Sequence, residues 1–280
     1  MSLRTLSFIA GVHAAGVALF MLLYGSMNLK SMSSIRTWGM VGAAVGLGAM
    51  IAHYILEPAR MVGSLSAITD PFLHSVLLDS NIATAAIVRA TGLGFLMLGF
   101  RNLGRMGRSA ALMGAMLFTL SFSLVGHTVG HELRWLLIAL LTGHLLVVAF
   151  WFGSLHPMIV VSRREVSGAV SAVISRFSEI AKWLVPLVFL FGLTMSVVLL
   201  GEWDNLRTPY GILLVAKIAA FALLMGLAAL NKWRFGPAIA QSSSAAVVAF
   251  RRTVTAEWFL IAGVLAVTAW MTGLYSPTHQ

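Results

Sequence analysis

The sequence predicts an all-α, polytopic integral membrane protein: an eight-transmembrane-helix bundle with both termini in the periplasm. Three observations predict this fold. The composition is strongly apolar, the apolar residues fall into eight runs long enough to cross a bilayer, and the basic residues concentrate in alternate loops. The whole of 1–280 is therefore expected to be one membrane domain, with the first four spans in 1–127 and the last four in 128–280.

The composition indicates that lipid surrounds most of the chain. Hydrophobic residues make up 59% of it and charged residues 10%, and the mean hydropathy is +0.91. That leaves too few polar side chains to cover a water-soluble protein. Cysteine is absent, which excludes disulfides, thiolate zinc sites and iron–sulfur clusters. The net charge of +10 comes from short loops, so nucleic acid is not an expected partner.

Each apolar run is long enough to be a membrane-spanning helix, which needs about 20 residues. The runs lack the alternation of a membrane β-barrel, and backbone groups in lipid must hydrogen-bond within their own segment, so the runs are predicted to be helices. They cover 5–28, 37–57, 81–101, 109–127, 133–156, 180–201, 209–231 and 254–276.

Loop charges predict the orientation of the bundle. Loops one, three, five and seven hold twelve Lys and Arg residues, whereas the amino terminus and loops two, four and six hold four. Basic residues stay on the cytoplasmic side, so both termini are expected outside a bacterial inner membrane. Two Ser- and Ala-rich stretches, 162–179 and 237–252, are expected to be either cytoplasmic surface helices or plain loops.

Histidines inside the spans are the candidate metal ligands, because polar groups in lipid are costly and usually functional. Five of the eight histidines are predicted between the outer surface and the membrane centre. Imidazole binds copper, zinc, iron and nickel, and thioether sulfur selects Cu(I) among them. One outward-opening copper site, most simply for Cu(I), is therefore predicted; the alternative is that each imidazole only hydrogen-bonds a neighbouring helix. The candidate ligands are His13, His53, His127, His131, His144 and Met50, with His156 expected only to mark a cytoplasmic helix end.

Three charged residues lie three or more residues inside their spans. Arg89 lies near the centre of span three and needs a partner, which could be water, a backbone carbonyl, Thr84 or Thr91. Lys217 is predicted in the outer half of span seven. Glu257 is predicted near the cytoplasmic end of span eight. Its expected partner is one of the basic residues at the same end, Lys182, Arg251 or Arg252.

The second half of the chain also carries five short patterns in order. They are Val125 to Thr128; Gly143 to Leu146 with Trp151 to Leu155; Arg176 to Ser178 with Gly192 and Leu193; Thr208 to Gly211 with Leu214, Lys217 and Asn231; and Glu257 with Thr272 to Pro277. Together these patterns resemble the copper resistance protein D family over roughly 125–277. The first four spans fit that family only in general character.

The resemblance implies an inner-membrane protein that takes copper from the periplasm toward the cytoplasm. It implies copper contacts at His127 and His144, and family positions of unassigned role at Trp151, Lys217 and Glu257. A separate periplasmic copper-binding carrier protein is the implied partner. The sequence has no Walker motif and no phosphorylatable Asp-Lys-Thr-Gly, so a transporter without ATP hydrolysis is expected rather than an enzyme.

Two other functions remain open at this point. Histidines on different spans can serve as axial ligands of a b-type haem, and His13, His53, His127 and His144 could supply two pairs. The protein could also be a non-transporting assembly factor that delivers copper to an enzyme.

Overall fold

The computed structural model describes residues 2–102, 104–126, 129–200 and 208–274. Within these ranges the regular structure is helical, which confirms the all-α prediction. Eight helices are long and apolar enough to cross a membrane, as predicted: α1, α2, α5, α6, α7, α8, α9 and α11. The helices are α1 (Ser2–Tyr24), α2 (Met32–Ile55), α3 (Glu57–Val62), α4 (Pro71–Leu78), α5 (Asn81–Arg101), α6 (Arg105–Leu120), α7 (Arg134–Arg164), α8 (Ser167–Leu200), α9 (Pro209–Leu230), α10 (Gly236–Ala240) and α11 (Ser244–Leu274).

Three helices extend beyond the predicted spans by eight residues or more. α7 continues eight residues past 156, α8 begins thirteen residues before 180, and α11 begins ten residues before 254. The Ser- and Ala-rich stretches are therefore mostly continuations of spanning helices rather than separate surface helices or loops. The 34 residues of α8 measure about 50 Å along the helix axis, longer than the roughly 30 Å hydrocarbon layer.

α1 lies at the centre of the bundle and packs against α2, α5, α6, α7 and α11. Glycines allow its closest approach, which is to α7. A Cβ atom placed on Gly16 would lie 1.8 Å from the carbonyl oxygen of Ala149, and one on Gly153 would lie 2.4 Å from the Cα of Gly16. Small residues at such crossings let helix backbones touch, which favours association in lipid. The crossing of α1 and α7 therefore requires glycine at both positions.

The two ends of the bundle differ in their contacts. At one end, the backbone N–H and hydroxyl of Ser31 donate to Glu165 Oε1 at 2.8 and 2.9 Å, which joins the α1–α2 and α7–α8 connections. Arg36, at the start of α2, shares a groove there with Arg101, at the end of α5. We call this the basic end. That it lies on the cytoplasmic side of the membrane stays a prediction from the loop charges.

At the opposite end, Glu57 is buried and forms a two-point ion pair with Arg60. Arg60 Nε and Nη2 donate to the carboxylate at 3.0 and 2.6 Å. This hydrogen bonding raises the pKa of the Arg60 guanidinium above its usual value. α3 and α4 lie between α2 and α5, so this end is covered by short helices that follow the second span.

Replacing Glu165 with alanine is expected to destabilise the protein by about 1–3 kcal/mol, because the fully buried Ser31 loses its acceptor for two hydrogen bonds. Thermal unfolding of the purified protein measures this change. Glu179→Ala is the matched control, since it removes a solvent-exposed ion pair with Lys182 and should leave the melting temperature unchanged. Equal losses in both variants would contradict the role assigned to Ser31 and Glu165.

Candidate metal-binding and buried polar side chains

The predicted ligands that the structure describes lie in separate places. His13 contacts a histidine of α7, His53 contacts a glutamate, and His144 contacts a backbone carbonyl. Within the described ranges, no group of three or more His, Asp or Glu side chains is placed to hold a metal ion. His127, with Thr128, lies outside the described residues, so its predicted meeting with His144 stays a prediction.

His144 links α7 to α8. Its Nδ1 lies 3.2 Å from the carbonyl oxygen of Val188, and Gly192 leaves room for the ring, because a Cβ there would lie 3.3 Å from Cε1. When Nδ1 donates to the carbonyl, Nε2 carries the free lone pair, the arrangement usual for histidines that bind metals. The contact therefore fits the alternative in which the imidazole hydrogen-bonds a neighbouring helix. It also leaves Nε2 able to bind a metal ion.

Lys217 of α9 is close enough to His144 to act on its ring electrostatically. Its side chain is half-buried. A protonated amine at this distance opposes the binding of a cation at His144, whereas a neutral amine does not. Any copper ion at His144 is therefore expected to compete with the proton on Lys217.

His53, Met50 and His131 make no shared site among the described residues. His53 Nε2 lies 3.8 Å from Glu57 Oε2, one turn further along the chain. Met50 is buried one turn before His53. His131 Nδ1 accepts a hydrogen bond from the backbone N–H of Leu133 at 3.0 Å, a local contact just before α7 begins.

Arg89 has partners that the sequence did not indicate. Its Nε donates to Ser121 Oγ at 3.0 Å, and its guanidinium lies 4.0 Å from the centre of the Phe122 ring. These partners replace Thr84 and Thr91, because the turn that ends α6 packs beside the middle of α5. A hydroxyl acceptor and an aromatic face together stabilise a cation that has left water. Arg89 is thus an anchor between the third and fourth spans.

Glu257 is almost completely buried, and its partner is an amide rather than a basic residue. Asn231 Nδ2 donates to Glu257 Oε1 at 2.5 Å, and Thr253 donates to the Asn231 side-chain oxygen. The expected ion pair of Glu257 with Lys182, Arg251 or Arg252 is absent from the described residues; Lys182 instead pairs with Glu179.

Two neighbours complete the surroundings of Glu257. The indole nitrogen of Trp151 is buried and close enough to act on the carboxylate, but it makes no hydrogen bond of normal geometry. Asn231 begins a π-helical segment that covers Asn231–Phe235. Such segments often occur at functional sites. A buried carboxyl group, an amide and an indole therefore meet where α7, the π-helical segment and α11 come together.

His13 and His156 form a contact that the sequence analysis missed. Their ring centroids lie 5.3 Å apart in an edge-to-face arrangement. The Nδ1 atoms of both rings are buried and lack a hydrogen-bond partner within the described ranges. His156 was expected to mark the end of span five, but α7 continues to Arg164, so His156 lies inside the helix and faces α1.

Comparison with known proteins finds one segment of the chain that matches a protein family. Residues 171–271 match the family model of copper resistance protein D, which confirms the resemblance over that part of the chain. The segment begins in α8 and includes α9, the π-helical segment and most of α11. Lys217, Asn231 and Glu257 lie inside it, whereas the four residues His13, His144, Trp151 and His156 lie before it. The chain matches no curated protein and no solved structure.

Proposed function

We propose that this chain, whose residues 171–271 belong to the copper resistance protein D family, takes copper from the periplasm toward the cytoplasm across a bacterial inner membrane. The family match carries this proposal, because it covers the last three membrane spans. The buried Glu257 and the half-buried Lys217 lie within those spans, where charged groups usually serve ion pathways.

In the proposed mechanism, copper is the substrate and the protein is a transporter rather than an enzyme. A periplasmic copper-binding carrier delivers the ion to outer-half imidazoles, with His127 and His144 as the first contacts. Each positive charge that moves toward an inside-negative face gains about 2.3 kcal/mol per 100 mV. The membrane potential therefore supplies the driving force without ATP.

Copper uptake into liposomes that contain the purified protein tests this function. Wild type should accumulate copper under an inside-negative potential. His144→Ala and His127→Ala should each reduce uptake about tenfold or more, because loss of one ligand of a transient site weakens capture strongly. His74→Ala is the matched control, since His74 hydrogen-bonds the Ile68 carbonyl in the α3–α5 connection, away from the spans.

Three results would count against the proposal in different ways. Wild-type liposomes that take up no more copper than empty ones would contradict transport. If such a protein still bound copper, delivery or assembly without transport would be the better function. Unchanged uptake in both histidine variants would leave transport standing but remove His127 and His144 as its ligands.

The haem alternative requires two imidazoles on opposite faces of a porphyrin plane. Among the candidate haem ligands that the structure describes, His13 contacts another histidine, His53 contacts a glutamate and His144 contacts a backbone carbonyl, so none of these three is paired with another. An absorption spectrum of the purified protein separates the two functions. We expect no Soret band; a strong one with stoichiometric haem would put the redox function first.

A further inference from the structure

We infer that His13 and His156 form a Cu(I) site of two imidazole ligands inside the bundle, where α1 and α7 cross. This inference rests on the proposed copper function and adds to it a second stage, deeper than the outer-half contacts at His127 and His144. Neither the family match nor the metal contacts implied by the resemblance include this pair.

The geometry of the two rings suits a shared ion. A metal–imidazole bond is about 2 Å long, so two nitrogens that bind one ion lie about 4 Å apart. Rings whose centroids are 5.3 Å apart reach that spacing with small side-chain rotations. The crossing that brings them together is rigid, since Gly16 and Gly153 lie one turn from His13 and His156 respectively and their backbones are in contact.

The polar atoms at this site lack other partners. The Nδ1 atoms of both histidines are buried and make no hydrogen bond to any residue that the structure describes. Buried polar atoms in folded proteins are nearly always paired, and an imidazole nitrogen without a donor or acceptor is a ready metal ligand. Two such nitrogens on rings in edge-to-face contact are therefore the basis for inferring a ligand that binds both.

The surroundings favour a monovalent soft ion over a divalent one. No carboxylate joins the pair, and no third His, Asp or Glu completes a metal-binding group among the described residues. Zinc prefers four ligands and calcium six or more, whereas Cu(I) accepts as few as two. The cost of moving an ion out of water grows with the square of its charge, so a single charge is the least costly to place here.

Aromatic rings lie beside both histidines and also favour a bound cation. The Trp38 ring lies 5.5 Å from the His156 ring, and the Phe152 ring lies 5.9 Å from the His13 ring. Aromatic faces attract cations, tryptophan most strongly. On the α2 side, Gly42 leaves room for the His13 ring, because a Cβ there would lie 3.3 Å from Cδ2 of His13.

The depth of the pair fits a relay stage. His13 lies midway along α1, His156 lies about two turns before the end of α7, and Trp38 lies two turns into α2. The pair is therefore in the half of the bundle nearer the basic end, whereas His53 and Glu57 lie at the opposite end. An ion captured at that opposite end would meet the His13–His156 pair on its way to the basic end.

Cu(I) binding to the purified full-length protein tests the inference. The protein competes for Cu(I) with a chromogenic chelator, and X-ray absorption reports the number and type of ligands. Wild type should hold a site with two nitrogen ligands at about 2 Å. His13→Gln and His156→Gln should each weaken that site at least tenfold, and the double variant should lose no more than either single one. His74→Gln is the matched control and should bind as wild type does.

The outcomes separate this inference from the proposed function. Full Cu(I) binding with an unchanged absorption spectrum in both folded variants would overturn the His13–His156 site, while wild-type copper uptake would keep transport intact. Wild type without any Cu(I) binding would overturn both. Zn(II) that displaces Cu(I) from the pair at equal concentration would overturn the assignment to a monovalent ion. Thermal unfolding of each variant confirms that the protein compared is folded.

Discussion

Gly153→Ala is expected to lower the stability of the protein by about 3 kcal/mol or more, because the added methyl group would meet the backbone of α1. The added Cβ would lie 2.4 Å from the Cα of Gly16 and 2.7 Å from the backbone nitrogen of Val17. Backbone atoms cannot rotate away as a side chain can, so α1 and α7 must separate. Overpacking of a tight core commonly costs 1–3 kcal/mol, and more where nothing can yield.

Thermal unfolding in detergent measures this effect against Gly94→Ala. A Cβ on Gly94 meets no atom within 4 Å, and alanine favours a helix interior over glycine, so the control should be as stable as wild type or slightly more stable. The same substitution at Gly153 should also weaken Cu(I) binding, because His156 lies one turn further along α7. Equal melting temperatures for the two variants would contradict the close crossing of α1 and α7.

Glu257→Ala is expected to destabilise the protein by about 2–4 kcal/mol. The substitution leaves Asn231 Nδ2 without its acceptor at 2.5 Å and opens a cavity beside Trp151, and both effects are costly in a buried place. Thermal unfolding measures the loss. Thr255→Ala is a neighbouring control on the same helix, because its hydroxyl donates to the Arg251 carbonyl of its own helix.

Glu257→Gln separates the shape of this side chain from its charge. Glutamine has the same volume, and its amide oxygen can accept from Asn231, so the variant should stay within about 1 kcal/mol of wild type. Copper uptake by this stable variant then reports on the carboxyl charge alone. A Glu257→Gln protein as unstable as Glu257→Ala would contradict the hydrogen-bond pattern, because it would make the charge itself the source of stability.

The number and type of spans could be predicted from the sequence because each depends on local composition. A run of about 20 apolar residues identifies a membrane helix wherever it packs. Helix ends were harder: α8 begins at Ser167 rather than 180. Val170, Val173 and Ile174 on its first turns pack in the core, but the polar residues between them keep this stretch from forming an apolar run. Hydropathy locates the part of a helix that lies in lipid and is silent about the part that projects beyond it.

The contacts of the candidate site depend on how helices are rotated and cross, which composition does not determine. The pairing of His13 with His156 follows from the glycine crossing of α1 and α7. Likewise, Glu257 meets Asn231 because the chain forms a π-helical segment after α9. Lipid-facing and buried positions look alike in an apolar run, so the rotation of each helix had no clear signal in the sequence. Gly16 and Gly153, small residues that allow two helices to approach closely, were the clearest such signal.

Copper binding by the purified, full-length wild-type protein is the most direct test that this membrane bundle handles copper. After equilibration with Cu(I) and removal of free metal, we predict at least one firmly held copper ion per chain and a spectrum without a Soret band. A protein that retains no copper under these conditions, although its thermal unfolding shows that it is folded, would contradict the copper function.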